Sequence, residues 1–306
     1  MLNPRFPFPF IWNIGPKRAT FTQPQAPNWL AKHIMINIKQ TLWATALTLT
    51  TIFITSCNFS SEELHRMARK EIGKDDFRDS EKWGKVVTEA LTLDAFTHID
   101  LQGSADIKFT QGDVFKVEAQ GNEKAIAYND ISVKDGTLTV KPTQGAPKQV
   151  PTIKLIITAP NLESINVSGS GDIDLKEKSE FPGDLSIHIG GTGDVDVERV
   201  KCKKLDISIT GDGDISAKKI KCKKAHIAIA GEGDMKAELK ANDIHVEISS
   251  SGDADLEVKC QNLTVTAGGT GEIELKGECA HFTKQAGGMA DIDSRLLEIH
   301  EGLVIQ

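Results

Sequence analysis

The residues best placed to do chemistry in this 306-residue chain are carboxylates that recur at glycine-rich turns. A Gly-x-Gly-Asp element or a close variant returns seven times, and its acidic residues are spaced 22, 20, 20, 19, 19 and 19 positions apart. The glycine–acid pairs are Gly171-Asp172, Gly193-Asp194, Gly213-Asp214, Gly233-Asp234, Gly252-Asp253 and Gly271-Glu272, followed by Asp291, and Asp106 stands in an outlying earlier copy. Carboxylates at turns can accept hydrogen bonds from backbone amides or ligate calcium.

Two features favour amide capping over calcium binding. Calcium-binding repeats of the form Gly-Gly-x-Gly-x-Asp place one residue between the last glycine and the aspartate, whereas Asp194 directly follows Gly193. Each repeat also holds a single such turn, so no second turn is paired with it to enclose an ion. We therefore predict that the acids cap turns and that the glycines adopt positive φ. No cofactor is predicted, and calcium is the alternative.

Four cysteines occupy one column of the repeat, with Ala241 between the two pairs: Cys202, Cys222, Cys260 and Cys279. Small apolar residues in one column indicate an inward-facing position. A straight ladder does not converge four thiolates on a zinc ion. Free thiols and the disulfides Cys202–Cys222 and Cys260–Cys279 are both compatible with stacked positions.

Basic residues offer one further candidate surface. Lysines concentrate on one side of two adjacent repeats, and four of them could contact acidic glycans or lipid head groups: Lys203, Lys204, Lys223 and Lys224. A solvated face is the alternative for such a run. His226 and His245 share an outward column. Two ligands alone make no metal site, so no metal is predicted.

The elements that must position these residues are β-strands. Apolar and polar residues alternate on both sides of each turn, which is typical of half-buried strands. One apolar column contains only Ile and Val: Ile165, Ile187, Ile207, Ile227, Val246 and Val265. Because each column stays chemically uniform at a fixed spacing, stacked coils are favoured over an antiparallel sandwich. We predict an all-β, single-stranded parallel β-helix (β-solenoid) of about seven coils of 19–22 residues, regular from about residue 163.

The chain divides into four predicted segments. The first 56 residues lack acidic side chains, so all 43 lie beyond them. Residues 1–34 suit no fold and precede Met35, which we predict to be the true start; residues 35–56 resemble a lipoprotein signal peptide that ends before Cys57, the predicted lipidation site. Residues 57–89 are predicted to be a charged tether, and residues 90–306 the solenoid domain. Asp135-Gly136 predicts a hairpin in an N-terminal cap.

A family resemblance rests on three features of the sequence. These are ITAPNLESINVSGSGDIDL, the upstream pattern F-x-x-I-x-L-x-G-S-A-D-I-x-x-x-Q-G, and the serial Gly-x-Gly-Asp units. Together they resemble the putative auto-transporter adhesin head GIN domain family over about residues 90–293. The resemblance implies a parallel β-helix, export and an adhesion role without established catalytic residues. We expect anchoring through Cys57 rather than auto-transport.

Enzymatic activity is not expected from these coils. Polysaccharide lyases and hydrolases also use β-helices, but their clefts need long loops with convergent acids. Coils of 19–22 residues leave no room for such walls, and all four Trp precede the repeats. We predict a non-enzymatic, lipid-anchored outer-membrane lipoprotein of the cell envelope that binds an unknown protein or glycan, and no nucleic acid. The alternatives are a periplasmic scaffold or a polysaccharide-binding or polysaccharide-processing relative.

Overall fold

The structure is a computed structural model that describes residues 82–305. The predictions for residues 1–34, for the signal segment 35–56, for Cys57 and for most of the tether lie outside the described residues. Within residues 82–305, no helix is long and apolar enough to cross a membrane. The first strand begins at Val86, so the predicted boundary at residue 90 falls inside it.

Nineteen strands and one short helix, α1 (Glu123–Ala127), make up the described chain. The N-terminal part contains β1 (Val86–Leu91), β2 (His98–Leu101), β3 (Asp106–Gln111), β4 (Lys116–Asn122), β5 (Asn129–Lys134), β6 (Thr137–Pro142) and β7 (Lys154–Ala159). The repeats form β8 (Ser164–Val167), β9 (Ile173–Glu180), β10 (Leu185–Ile189), β11 (Val195–Lys201), β12 (Lys204–Ile209), β13 (Ile215–Lys221), β14 (Lys224–Ile229), β15 (Met235–Lys240) and β16 (Asp243–Ile248). The last coils are β17 (Ala254–Ala267), β18 (Glu272–Ala286) and β19 (Asp291–Ile305).

Two parallel ladders confirm the predicted β-solenoid. Face A consists of the strands that precede each glycine turn, and it runs from β8 through β10, β12, β14 and β16 into the second halves of β17 to β19. Face B consists of the strands that follow the turns, from β9 through β11, β13 and β15 into the first halves of β17 to β19. Neighbouring coils in such ladders lie about 4.8 Å apart.

The predicted core columns are stacked in register. Ile187 pairs with Ile207, Ile207 with Ile227, and Ile227 with Val246. These side chains are at most 1% exposed. Alternate residues point inwards from both faces, so one continuous apolar core fills the solenoid and no coil could bury its apolar side chains alone.

The N-terminal cap contains the predicted hairpin, and its stacking order differs from its chain order. Asp135 (φ 49°) and Gly136 (φ 73°) join the antiparallel strands β5 and β6, as a two-residue Asp-Gly turn favours. The outlying copy, β2 and β3, stacks directly beneath β8 and β9, while β6 and β7 stack beneath β2 and β3. The antiparallel strands β4 and β1 extend face B beyond β7.

The prediction that the repeat glycines adopt positive φ is wrong for every repeat turn except the last. Positive φ occurs at Gly84, Gly121, Gly136, Gly145, Gly277 and Gly288, of which only Gly288 belongs to a repeat turn, that of Asp291. Close stacking is the real requirement, because a Cβ on Gly213 would lie 2.2 Å from the carbonyl oxygen of Gly193 in the adjacent coil. A Cβ added at Gly171, Gly193, Gly233, Gly252 or Gly271 in the same column would likewise lie 2.0–2.4 Å from a backbone oxygen.

Candidate functional site

The repeat carboxylates form a hydrogen-bonded ladder along the turn. The backbone N–H of Asp194 donates to Oδ1 of Asp172 at 3.0 Å, that of Asp214 to Asp194 at 2.8 Å, and that of Asp234 to Asp214 at 2.7 Å. The same bond continues to Asp253 and Glu272, and at the other end Asp172 donates to Asp106 at 3.3 Å. Asp106 and the five repeat aspartates from Asp172 to Asp253 therefore each cap the adjacent coil, whereas the Asp291 amide donates to the carbonyl of Gly271 and not to Glu272.

The ladder makes a testable prediction about the turns. Asp214→Ala removes the acceptor for the Asp234 amide and should lower the free energy of unfolding by about 1 kcal/mol in urea titrations. Asp214→Asn keeps an acceptor oxygen and removes a stacked charge, so it should retain wild-type stability, with or without calcium. Asp212→Ala is the control, because Asp212 is equally exposed and its carboxylate forms no hydrogen bond. Equal losses for Asp212→Ala and Asp214→Ala would contradict the capping role.

A second acidic column lies two residues further on, and basic side chains offset its repulsion. Asp255 accepts hydrogen bonds from Nζ of Lys236 at 2.7 Å and Nζ of Lys276 at 3.2 Å, and these lysines lower the pKa of its carboxyl. In the last coil, Arg295 lowers the pKa of the partly buried Asp293 carboxyl to about 2. These pairs belong to the surface of face B and form no acid–base dyad.

The structure brings the four predicted contact lysines together at one edge of face A. Lys204 and Lys224 are register partners, and the backbone N–H of Lys223 donates to the carbonyl of Lys203 at 2.9 Å. All four are exposed. We call them the basic corner. Lys224 lies 3.5 Å from Asp243, and within residues 82–305 the other three form no ion pair.

The cysteine column faces inwards, as predicted. Cys202 and Cys279 are buried, Cys222 and Cys260 are partly buried, and all four are free thiols. The neighbouring Cys222 thiol together with burial raises the pKa of Cys202, and burial raises the pKa of Cys260 to about 12. The Cys202 side chain in turn lowers the pKa of Cys222. Cys202 and Cys279 belong to the apolar core, and Cys222 and Cys260 pack against it, so the column serves as packing.

An outward cluster on face A includes one residue that sequence reasoning missed. The imidazole rings of His226 and His245 stack at 5.4 Å with 8° between their planes. Glu247 lies two residues beyond His245 on β16, and the potential ligand atoms of all three side chains lie within 4.8 Å of one another. The sequence alone does not reveal this cluster, because Glu247 comes close to His226 only when β14 and β16 pair.

A shallow groove of about 590 Å³ runs across this part of face A. It is lined by side chains of successive coils, including Asp206, Lys224, His226, Asp243 and His245. The groove lies along strands rather than between long loops.

Solved structures show the same fold. The chain is similar to a putative adhesin of Bacteroides fragilis (TM-score 0.62, 23% identity, 68% of this chain and 96% of that chain). It is also similar to a putative adhesin of Parabacteroides distasonis (TM-score 0.57, 20% identity, 72% and 97%). A putative lipid binding protein of Parabacteroides distasonis is a further match (TM-score 0.52, 19% identity, 73% and 97%). No curated protein matches the chain.

A sequence model of one family covers most of the described solenoid. The model described as "Putative auto-transporter adhesin, head GIN domain" matches residues 95–253 and 234–304. Those ranges include the outlying first coil, the cap hairpin and all seven regular turns. The chain therefore belongs to the putative auto-transporter adhesin, head GIN domain family.

Proposed function

We propose that this protein is a non-enzymatic, lipid-anchored adhesion or interaction module of the cell envelope, and that it binds a protein or glycan partner through its repeated faces. The observation that carries the proposal is the basic corner on face A. It places four exposed ammonium groups on two adjacent coils, beside a shallow groove instead of a deep pocket. Such a surface suits an extended acidic partner that makes many weak contacts.

The distribution of charge supports binding to an extended partner rather than chemistry. Two other lysines near the basic corner are neutralised by carboxylates: Lys201 pairs with Glu180 at 2.9 Å and Lys218 with Glu198 at 2.6 Å. The basic corner retains three unpaired cations within the described residues. A partner with regularly spaced acidic groups can reach these cations without entering the fold.

The anchor is proposed from the sequence alone. Residues 35–56 have the features of a signal peptide, and Cys57 follows Ile54-Thr55-Ser56. An acylated Cys57 would hold the solenoid at the outer membrane on a charged tether. Mass spectrometry of protein from native membranes tests this step: an acylated N-terminal Cys57 supports it, and a chain that retains residues 1–34 contradicts it.

Neutralising the basic corner should weaken binding to acidic partners without unfolding the protein. The quadruple variant replaces Lys203, Lys204, Lys223 and Lys224 by Gln. Each exposed charge contact contributes a few tenths of a kcal/mol, so we expect about a tenfold loss of affinity for an immobilised sulfated glycan at low salt. The difference should shrink as salt screens the charges.

The control has the same change of net charge at another place. It replaces four exposed lysines of the N-terminal part by Gln: Lys85, Lys134, Lys148 and Lys154. It should retain binding if the basic corner is the contact surface. Equal losses of affinity for both variants would show a non-specific charge effect and contradict the proposed surface. If neither the wild type nor the variants bind, a periplasmic scaffold is favoured.

A further inference from the structure

We propose that His226, His245 and Glu247 form a binding site for a zinc ion on the outer surface of face A. His226 lies on β14, and His245 and Glu247 lie on the adjacent β16. Two imidazole nitrogens and one carboxylate oxygen are a common protein ligand set for zinc. Lys224 of the basic corner lies two residues from His226 on β14, but zinc binding at this site would not require the proposed adhesion.

The distances suit a single ion after small side-chain movements. The ligand atoms lie within 4.8 Å of one another. Tetrahedral zinc with bonds of about 2.0–2.2 Å places its ligand atoms about 3.3–3.6 Å apart. The histidines are partly exposed and Glu247 is exposed, so rotation about side-chain bonds can close this gap without moving the stacked backbone.

The register leaves space for the ion among the three ligands. His226 pairs with His245, and Ala228 pairs with Glu247, all on the outward side of their strands. Among these four outward residues, Ala228 alone has a side chain as small as a methyl group. The fourth coordination position would face solvent.

A carboxylate on the next coil is placed to orient one ligand. Oδ2 of Asp206 lies 3.4 Å from Nδ1 of His226, and Asp206 pairs with His226 in register. A carboxylate at Nδ1 favours the tautomer whose Nε2 is free to bind metal. Asp206 would therefore be a positioning residue. Lys224, the nearest cation in the same row of β14, lies 3.5 Å from Asp243, which offsets its repulsion of a bound cation.

The test is calorimetric titration of zinc chloride into the full chain, purified in detergent after treatment with a chelator. We expect one equivalent to bind with micromolar affinity. His245→Gln should weaken binding at least thirtyfold and Glu247→Gln about tenfold, since each removes a ligand. Asp206→Asn should weaken binding about tenfold, as loss of such a partner typically does.

The matched control is His188→Gln. His188 is a partly exposed outward residue of β10 that lies outside the cluster, and its replacement should leave zinc affinity unchanged. Melting curves with chelator should be the same for all variants, which separates lost ligation from unfolding. The visible absorption of bound cobalt, as a substitute for zinc, should show low coordination number in wild type and vanish in His245→Gln. Wild-type protein without a stoichiometric site, or equal affinities for His245→Gln and His188→Gln, would overturn the proposal.

Discussion

Ile207→Asp is expected to prevent folding or to lower the free energy of unfolding by about 5 kcal/mol or more. Ile207 is fully buried between its register partners Ile187 and Ile227. The substitution removes a large apolar side chain and places a carboxylate where no donor from the adjacent coils can reach it. Ile207 lies in a central coil that packs against coils on both sides, so the substitution disrupts packing in three coils.

The pH dependence of this variant has a defined sign. An apolar site disfavours the ionised carboxylate and raises its pKa in the folded state above the unfolded value of about 3.9. The native state then holds its proton more tightly, so the variant loses stability as pH rises through this interval. Its deficit relative to wild type should be smaller at pH 4 than at pH 7 in urea titrations.

Ser208→Asp is the matched control for the core substitution. Ser208 is the next residue on β12, points outwards, and pairs with His188 and Ala228, neither of which carries a negative charge. Its replacement should change the free energy of unfolding by less than about 0.5 kcal/mol. Comparable destabilisation by the two variants would contradict the inward and outward register.

The uniform columns show why the fold was predictable from one sequence. A solenoid repeats the same local environment in every coil. Ile187, Ile207 and Ile227 are therefore three copies of one buried position, and each copy strengthens the prediction. The two-residue signal Asp135-Gly136 identified the cap hairpin for a local reason, because only residues tolerant of positive φ suit that turn. The stacking of β2 and β3 between β6–β7 and β8–β9 could not be predicted from the sequence, because chain order does not specify stacking order.

The candidate sites depended on contacts that the sequence does not display. The sequence predicts amide capping by the repeat aspartates, because aspartates at turns commonly bond backbone amides. It does not predict the ladder, because each donor lies in the adjacent coil. The cluster of His226, His245 and Glu247 combines a contact between coils with a neighbour two residues along one strand. The two histidines occupy equivalent positions in successive coils and are visible as a column, whereas Glu247 occupies the column of Ala228.

Gly213→Ala should be severely destabilising, although it adds one methyl group. Its Cβ would lie 2.2 Å from the carbonyl oxygen of Gly193 and 3.0 Å from Cγ2 of Ile189. The contacted oxygen belongs to backbone held between two further coils, so it cannot withdraw as a flexible side chain would. We expect a loss of about 3 kcal/mol, which for a domain of this size is about 10 °C in Tm.

Gly183→Ala separates this clash from the general effect of replacing glycine. Gly183 lies outside the repeat turns, has no positive φ, and would place its Cβ at least 4 Å from any other heavy atom. Alanine at that position restricts the unfolded chain and should leave stability unchanged or raise it by up to about 1 kcal/mol.

If the glycine column were required for positive φ, Gly213→Asn would be more stable than Gly213→Ala, because asparagine tolerates that conformation. Close stacking instead predicts that Gly213→Asn is at least as destabilising as Gly213→Ala, since every side chain begins with the same Cβ.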